Sequence, residues 1–307
     1  MPAPFQPDEE LHARLEGLIR RLKLDEEAGR RKFAVSLVDV TDPDKPRYAG
    51  INDTEMMYAA SLPKIAILLA GFEKIREGKL AYTPEVREMF ARIARVSSNV
   101  DASRAVQMIG FESIAQTLTA PKYRFYDPGL NGGLWVGKAY GGFNDYWKRD
   151  PLHNLSHGAT TLQTARFFTL LAQGKLVDER WSRELLDVLS RPGIQHKFVK
   201  GLASTPGVNI YRKSGTWKNW HADAALIEHG GKRYVAAALM ESPEGGKALR
   251  HPAPPPSPRF RALHAPRPLR STSTLLRGLR APSRPSCSRR LPLPAPSLLR
   301  RPPRCLR

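Results

Sequence analysis

The chain has 307 residues and a formal charge of +20, room for one large domain or two smaller ones. The charge is uneven: from Arg250 to Arg307 there are 14 Arg, no Lys and no acidic residue, which leaves +6 for residues 1–249, an ordinary, mildly basic globular body. No stretch is long and apolar enough to cross a membrane, Met1-Pro2-Ala3-Pro4-Phe5 lacks a basic-then-apolar leader pattern, and both cysteines, Cys287 and Cys305, fall in the tail, so the body holds no disulfide, thiolate metal site or cysteine nucleophile.

Leu11, Leu15, Leu18, Ile19 and Leu22 recur at helical spacing behind acidic residues that suit a helix N-terminus. Residues 33–40 are β-branched and alternating, which predicts a strand; Asp42-Pro43-Asp44-Lys45-Pro46 predicts a turn and 47–51 a second strand. The run after Ser61-Leu62-Pro63-Lys64 is apolar on every face, which predicts a helix buried on most sides, entered at Ser61 and left near Gly78. Pro63 is tolerated there only in the first turn. Further helices are expected over 84–94, 102–109, 161–172 and 180–189, with the Gly-rich stretch 129–142 as a shaped loop or short strand. Strand character returns at 208–213, 222–228 and 233–240, with Gly230-Gly231 turning between the last two. Strands thus open and close the body with helices between them, an α+β layout with an antiparallel sheet built from both chain ends. Residues 1–60 and 205–249 form the sheet region, and 61–204 an inserted helical region. From residue 250 only ten residue types remain, 14 of the residues are proline and no period is visible. That composition predicts disorder. It suits an Arg-rich nucleic-acid binder, and it is also what a GC-rich gene yields when read out of frame.

Three short motifs carry chemistry. Ser61 and Lys64 stand three apart, so a hydroxyl and an amine share one side of a helix entrance, a nucleophile beside its base. Ser97-Ser98-Asn99 precedes a helix, where a polar cap explains it equally well. Lys213-Ser214-Gly215-Thr216 ends a strand. In this order, on helix, loop and strand, the three together are a much stronger signal than any one alone.

Here the chain resembles the penicillin-recognising serine enzymes, and most closely the class A-type β-lactamase-related serine hydrolases, over about residues 8–249. The resemblance implies a five-stranded antiparallel sheet with terminal helices on one face and a helical domain on the other. It implies that Ser61 is the acylated nucleophile and that Lys64 helps remove its proton. Ser97 would pass a proton to the leaving nitrogen, Asn99 would hold the substrate amide, and Lys213 and Ser214 would bind the substrate carboxylate. The N–H groups of Ser61 and Thr216 would form the oxyanion hole, with Gly215 allowing close approach at the strand edge. The substrate implied is a β-lactam or a peptidoglycan-peptide-like molecule, with no cofactor, no nucleic acid and a monomeric protein.

The chain departs from that pattern in three places. No Glu-x-x-x-Asn supplies a deacylating base; the nearest match is Asp150-Pro151-Leu152-His153-Asn154, in which Asp150 is either the base or an Asp-Pro turn. The interval from Ser61 to Ser97 is short. The C-terminal helix is replaced by the tail, which would leave Val235, Ala237 and Leu239, or their neighbours on the other face, uncovered. His153, His157, His196 and His221 have no metal-like spacing and are expected in loops or at the surface. Trp217 and Trp220 either line the pocket or cap the core. The expected activity is a serine hydrolase acylated on Ser61. The alternatives are a penicillin- or peptidoglycan-binding module that acylates with little or no deacylation, and a D-alanyl peptidase or esterase.

Overall fold

A computed structural model describes residues 5–142 and 146–250. The expectations for the tail and its two cysteines lie outside the described residues. Helix α1 (Glu9–Arg21) starts on Asp8, whose carboxylate accepts the Leu11 N–H at 2.8 Å. A short helix α2 (Asp25–Gly29) leads into β1 (Phe33–Asp39), which returns as β2 (Arg47–Ile51). The two-residue strand β3 (Met57–Tyr58) precedes α3 (Lys64–Arg76). Helix α4 (Pro84–Arg95) has the Thr83 hydroxyl as its cap and proline at its first position; α5 (Asn99–Ile109) is capped by Ser98, and α6 (Phe111–Thr119) follows Gly110. Four short strands come next: β4 (Tyr126–Asp127), β5 (Gly132–Gly133), β6 (Trp135–Val136) and β7 (His157–Ala159). Helix α7 (Thr161–Ala172) begins on Thr160 and α8 (Glu179–Leu189) on Asp178. The chain closes with α9 (Phe198–Leu202), β8 (Asn209–Trp217), β9 (Trp220–His229), β10 (Lys232–Glu241) and the one-turn helix α10 (Gly245–Ala248).

The five long strands form one sheet in the order β2-β1-β10-β9-β8, and every pairing is antiparallel. The sheet is therefore made from both chain ends, as expected. Its centre is the pairing of β1 with β10, from Phe33 opposite Met240 to Asp39 opposite Tyr234. β8 is an edge strand, and the site is built along it.

The period of two divides β10 cleanly. Val235, Ala237 and Leu239 face the helical layer and join one hydrophobic cluster with α3, α4, α5, α7 and α8. Ala236, Ala238 and Met240 face the other way and pack with Leu11, Leu15 and Ile19 of α1, with Phe198 and with Leu249. All six are buried, so the expectation that a missing C-terminal helix leaves strand residues wet does not hold for them: Phe198 and Leu249 join α1 in covering the second face. The sheet and helical regions share the larger cluster, in which α3 contributes every residue from Ile65 to Phe72 except Gly71.

Gly71 is buried and adds no side chain to that cluster; an added Cβ there would press into the Phe90 ring, so α3 and α4 approach closely at this point.

Candidate active site

Ser61 stands before α3 rather than inside it. Leu62 N–H bonds to Ala59 O at 3.0 Å, Lys64 N–H to Ser61 O at 3.3 Å and Ile65 N–H to Leu62 O at 3.2 Å. These three-residue bonds make a tight turn that passes into the helix at Lys64. Pro63 sits at the join with φ −64, the one value its ring prefers. The three-residue offset between Ser61 and Lys64 survives, so both belong to the same turn.

Lys64 is fully buried. Its Nζ donates to Ser97 O at 2.7 Å and to Asn99 Oδ1 at 2.7 Å, with longer contacts to Ser98 O at 3.3 Å and Ser97 Oγ at 3.5 Å. The Tyr140 ring lies 4.5 Å from the same nitrogen. No carboxylate among the described residues bonds to it, and burial lowers its ammonium to about 7. A buried amine near neutrality is a proton acceptor at ordinary pH. Ser61 Oγ has no hydrogen-bond partner among the described residues, so the Ser61–Lys64 contact expected of nucleophile and base is not formed in this state. Such contacts commonly tighten only with substrate in place.

The second motif divides its work. Ser98 is the polar cap, accepting the Asp101 N–H at 3.2 Å. Ser97 takes φ 58, a left-handed conformation uncommon for a non-glycine residue, and this kink turns it toward the lysines. Lys213 Nζ donates to Ser97 Oγ at 2.8 Å and to Ser214 O at 2.7 Å. Ser97 Oγ thus lies between the two lysine side-chain nitrogens. Burial pushes the Lys213 ammonium well below its usual range, and the neighbouring Lys64 charge adds to the effect. Ser214 is buried on the same strand, and Thr216 is exposed at its end.

Gly215 explains how the third motif meets the first. A Cβ at Gly215 would collide with Ala59 O and fall 2.8 Å from Ser61 N and 2.9 Å from Leu62 N. The β8 backbone is therefore pressed directly against the Ser61 turn, and only glycine permits it. Ser61, Lys64, Ser97, Asn99, Lys213, Ser214, Gly215 and Thr216 form one continuous set, joined by these bonds and contacts.

Asp150 is used differently. Its Oδ1 accepts the Tyr126 hydroxyl at 3.0 Å and the N–H groups of Leu152 and His153 at 3.1 Å each, while Oδ2 accepts the Leu155 N–H at 2.7 Å. Neither oxygen bonds to Ser61, Lys64 or Ser97. The carboxylate organises its own turn, so of the two readings of Asp-Pro the turn is the one the geometry favours. His157, expected in a loop or at the surface, is a buried residue of β7. Its Nε2 lies 2.9 Å from Lys138 O, its ring packs on Tyr140 at 4.2 Å, and burial pushes it down to about 4, so it is neutral. Trp220 packs on the core edge-to-face with Tyr58, whereas Trp217 is exposed. Among the described residues no group of His, Cys, Asp and Glu is placed to hold a metal.

Two residues of this region carry no motif and escape a reading of the sequence. Tyr140 lies beside Lys64, and Lys197 donates to Gly215 O and Thr216 Oγ1. A lysine or tyrosine in a loop looks like any surface residue until tertiary contacts bury it.

No curated protein matches the chain. Among solved structures, PBP-A aligns with a TM-score of 0.58 at 17% identity, over 81% of this chain and 95% of its own. A β-lactamase from Sphaerobacter thermophilus aligns with a TM-score of 0.60 at 13% identity, over 76% of this chain and 92% of its own. One from Chitinophaga pinensis aligns with a TM-score of 0.56 at 15% identity, over 75% and 93%. At these identities the likeness is one of fold, and the fold is that of the β-lactamases. The family assignment comes from the sequence itself: residues 15–100 and 139–253 match the model of the beta-lactamase enzyme family, and the chain belongs to that family.

Proposed function

We propose that the protein is a serine acyl-transfer enzyme, acylated on Ser61 by a β-lactam or a related amide or ester. The observation that carries this reading is the chain of hydrogen bonds from Lys213 through Ser97 toward Lys64, set beside the Ser61 turn, with no carboxylate in it among the described residues. In the reaction, Ser61 Oγ adds to the substrate carbonyl carbon as its proton passes to the neutral Lys64 amine. The N–H groups of Ser61 and Thr216 meet the developing oxyanion, each worth about 3–4 kcal/mol by the usual cost of deleting such a donor. The C–N bond breaks as the Ser97 hydroxyl gives its proton to the leaving nitrogen. Lys64, 3.5 Å from Ser97 Oγ, restores that proton. Asn99 keeps its Nδ2 for the substrate amide while its Oδ1 holds Lys64. Lys213 and Ser214 bind the substrate carboxylate through hydrogen bonds, and the arriving carboxylate itself favours the protonated form of Lys213.

A second reading, slow or absent deacylation, has an observation of its own. Among the described residues no acidic side chain bonds to Lys64, Ser97, Asn99 or Lys213, and Asp150 spends both oxygens elsewhere. A variant of PBP-A, a structure of similar fold, is known as an acyl-enzyme complex with penicillin G. One pair of measurements separates the readings. Turnover of a chromogenic cephalosporin without adduct supports hydrolysis; a stable mass increase with penicillin and no turnover supports the acyl trap. Ser61→Ala abolishes both. If the wild type shows neither, and Ser61→Ala leaves any ester hydrolysis unchanged, the nucleophile assignment fails.

A further inference from the structure

Lys197 belongs to none of the three motifs, yet it is among the most buried side chains of the molecule, 2% exposed. An ammonium has three N–H donors, and Lys197 finds an acceptor for each: Gly215 O at 2.6 Å, Thr216 Oγ1 at 2.8 Å and Ala222 O at 3.0 Å. Gly215 and Ala222 are directly opposite each other in the β8–β9 pairing. One side chain therefore pins the end of the hairpin that is pressed against Ser61.

Its charge is not neutralised by contact. Asp223, the buried carboxylate nearby, is held by Arg212 through Nε to Oδ1 at 2.7 Å and Nη2 to Oδ2 at 2.9 Å, and by the Phe198 N–H at 3.1 Å. Among the described residues Lys197 forms no ion pair. Burial lowers its ammonium to about 8, Asp223 working against the shift and Arg212 with it. The backbone that delivers it is strained, with φ 51 and ψ −126. Non-glycine residues hold such conformations only where neighbours enforce them, and they gather at functional sites. Here Arg212 does the enforcing: it bonds Ile194 O at 3.0 Å and His196 O at 3.3 Å, anchoring the chain just before Lys197 while Asp223 anchors the residue after it.

The Gly215 carbonyl and the Thr216 N–H are two ends of one peptide unit. An ammonium bonded to the carbonyl polarises that unit and strengthens its N–H as a donor, an effect that is larger in a dry site. We propose that Lys197 is a positioning residue for acyl transfer, acting through the Gly215–Thr216 peptide to hold and polarise the Thr216 N–H that meets the oxyanion. The inference rests on the acyl-transfer reading above. The strained loop then has a role in the chemistry, because it carries a fixed positive charge to the rear of the oxyanion donor, where substrate does not touch it.

The test compares Lys197→Met, Lys197→Gln and Lys197→Arg with the wild-type chain. Three quantities are read: the acylation rate at saturating chromogenic cephalosporin, the substrate concentration at half-saturation, and the affinity for phenylboronic acid, which forms a tetrahedral anion on a serine. Weakening one oxyanion donor predicts about a 30-fold slower acylation in Lys197→Met, since deleting a donor outright costs about 10²–10³. Boronate affinity falls in parallel, half-saturation changes little, and Lys197→Arg recovers most of the rate. Lys197→Gln keeps N–H donors without the charge and is slowed like Lys197→Met; it carries the test if Lys197→Met fails to fold. A folded Lys197→Met or Lys197→Gln with wild-type acylation and boronate affinity overturns the inference. So does a loss that only follows the melting temperature and that Lys197→Arg does not restore, which marks a purely structural lysine. A wild type that is never acylated sinks the acyl-transfer reading itself, a separate result.

Discussion

Gly215→Ala is the sharpest single perturbation of the site. The added methyl group is small, but it enters a gap that does not exist. It would sit 2.8 Å from Ser61 N and 2.9 Å from Leu62 N, and closer still to Ala59 O. Restoring ordinary contact with the two nitrogens, at 3.4 Å or beyond, moves the strand or the turn by about half an ångström, and the Ala59 oxygen demands more. Overpacking of this kind costs about 1–3 kcal/mol of stability. The catalytic cost is larger, because the displaced atoms belong to the proposed oxyanion hole: a misplacement of about 1 Å is worth about 100-fold in rate. The expected result is a protein that still folds, with a urea midpoint modestly lowered and an acylation rate, followed by intact mass, reduced about 100-fold. A Gly215→Ala protein that acylates within about threefold of wild type would show that β8 does not bear on Ser61, and the proposed oxyanion hole would go with it.

Lys64 sets the pH dependence. With its ammonium lowered to about 7, the acylation rate rises with pH through that value as the amine becomes neutral; a profile flat from about pH 6 to about pH 8 would remove Lys64 as the base. The same shift affects stability. The unfolded chain keeps this proton up to 10.5 and the folded chain releases it near 7, so between these values the contribution of Lys64 to stability increases with pH, and a Lys64→Met variant loses that slope in urea titrations. Asp150→Asn weakens a buried acceptor of four hydrogen bonds and lowers stability by about 1–3 kcal/mol. It leaves the lifetime of any acyl adduct unchanged, and a lengthened lifetime at full stability would place Asp150 in the chemistry after all.

Much of this architecture is legible in the sequence where one local rule suffices. Residues 161–172 form a helix as expected, because Thr160 caps a run with unbroken helical character. α3 is apolar on every face, and burial on every side is the only place such a helix can go. β8 runs further than the expected 208–213: Gly215 interrupts the strand signal, and Gly215, Thr216 and Trp217 are held in the strand by pairing with Ala222, His221 and Trp220. The pattern of apolar residues predicts a helix entered at Ser61, yet Ser61 stands one turn ahead of it, since Pro63 takes the joining position. The residues that sequence reasoning misses share one cause. Lys197, Tyr140 and His157 are polar residues outside any period, and their burial is decided by partners far away in the chain. Asp150 shows the reverse case, a spacing that fits a catalytic pattern and a local turn chemistry that accounts for it fully.

The central pairing of β1 with β10 has a consequence for how this protein is made. Phe33 waits for Met240, and the Ser61 turn waits for Gly215. During synthesis Ser61 and the apolar helix after it leave the ribosome long before the strands that enclose them. Contacts so distant in sequence fold slowly, and chains that expose apolar segments meanwhile are prone to aggregate. The N-terminal hairpin of β1 and β2 has no third strand until β10 arrives, and a lone hairpin is marginal in water. The candidate site is therefore among the last features to close, and α3 stays exposed to aggregation until the final hairpin is released.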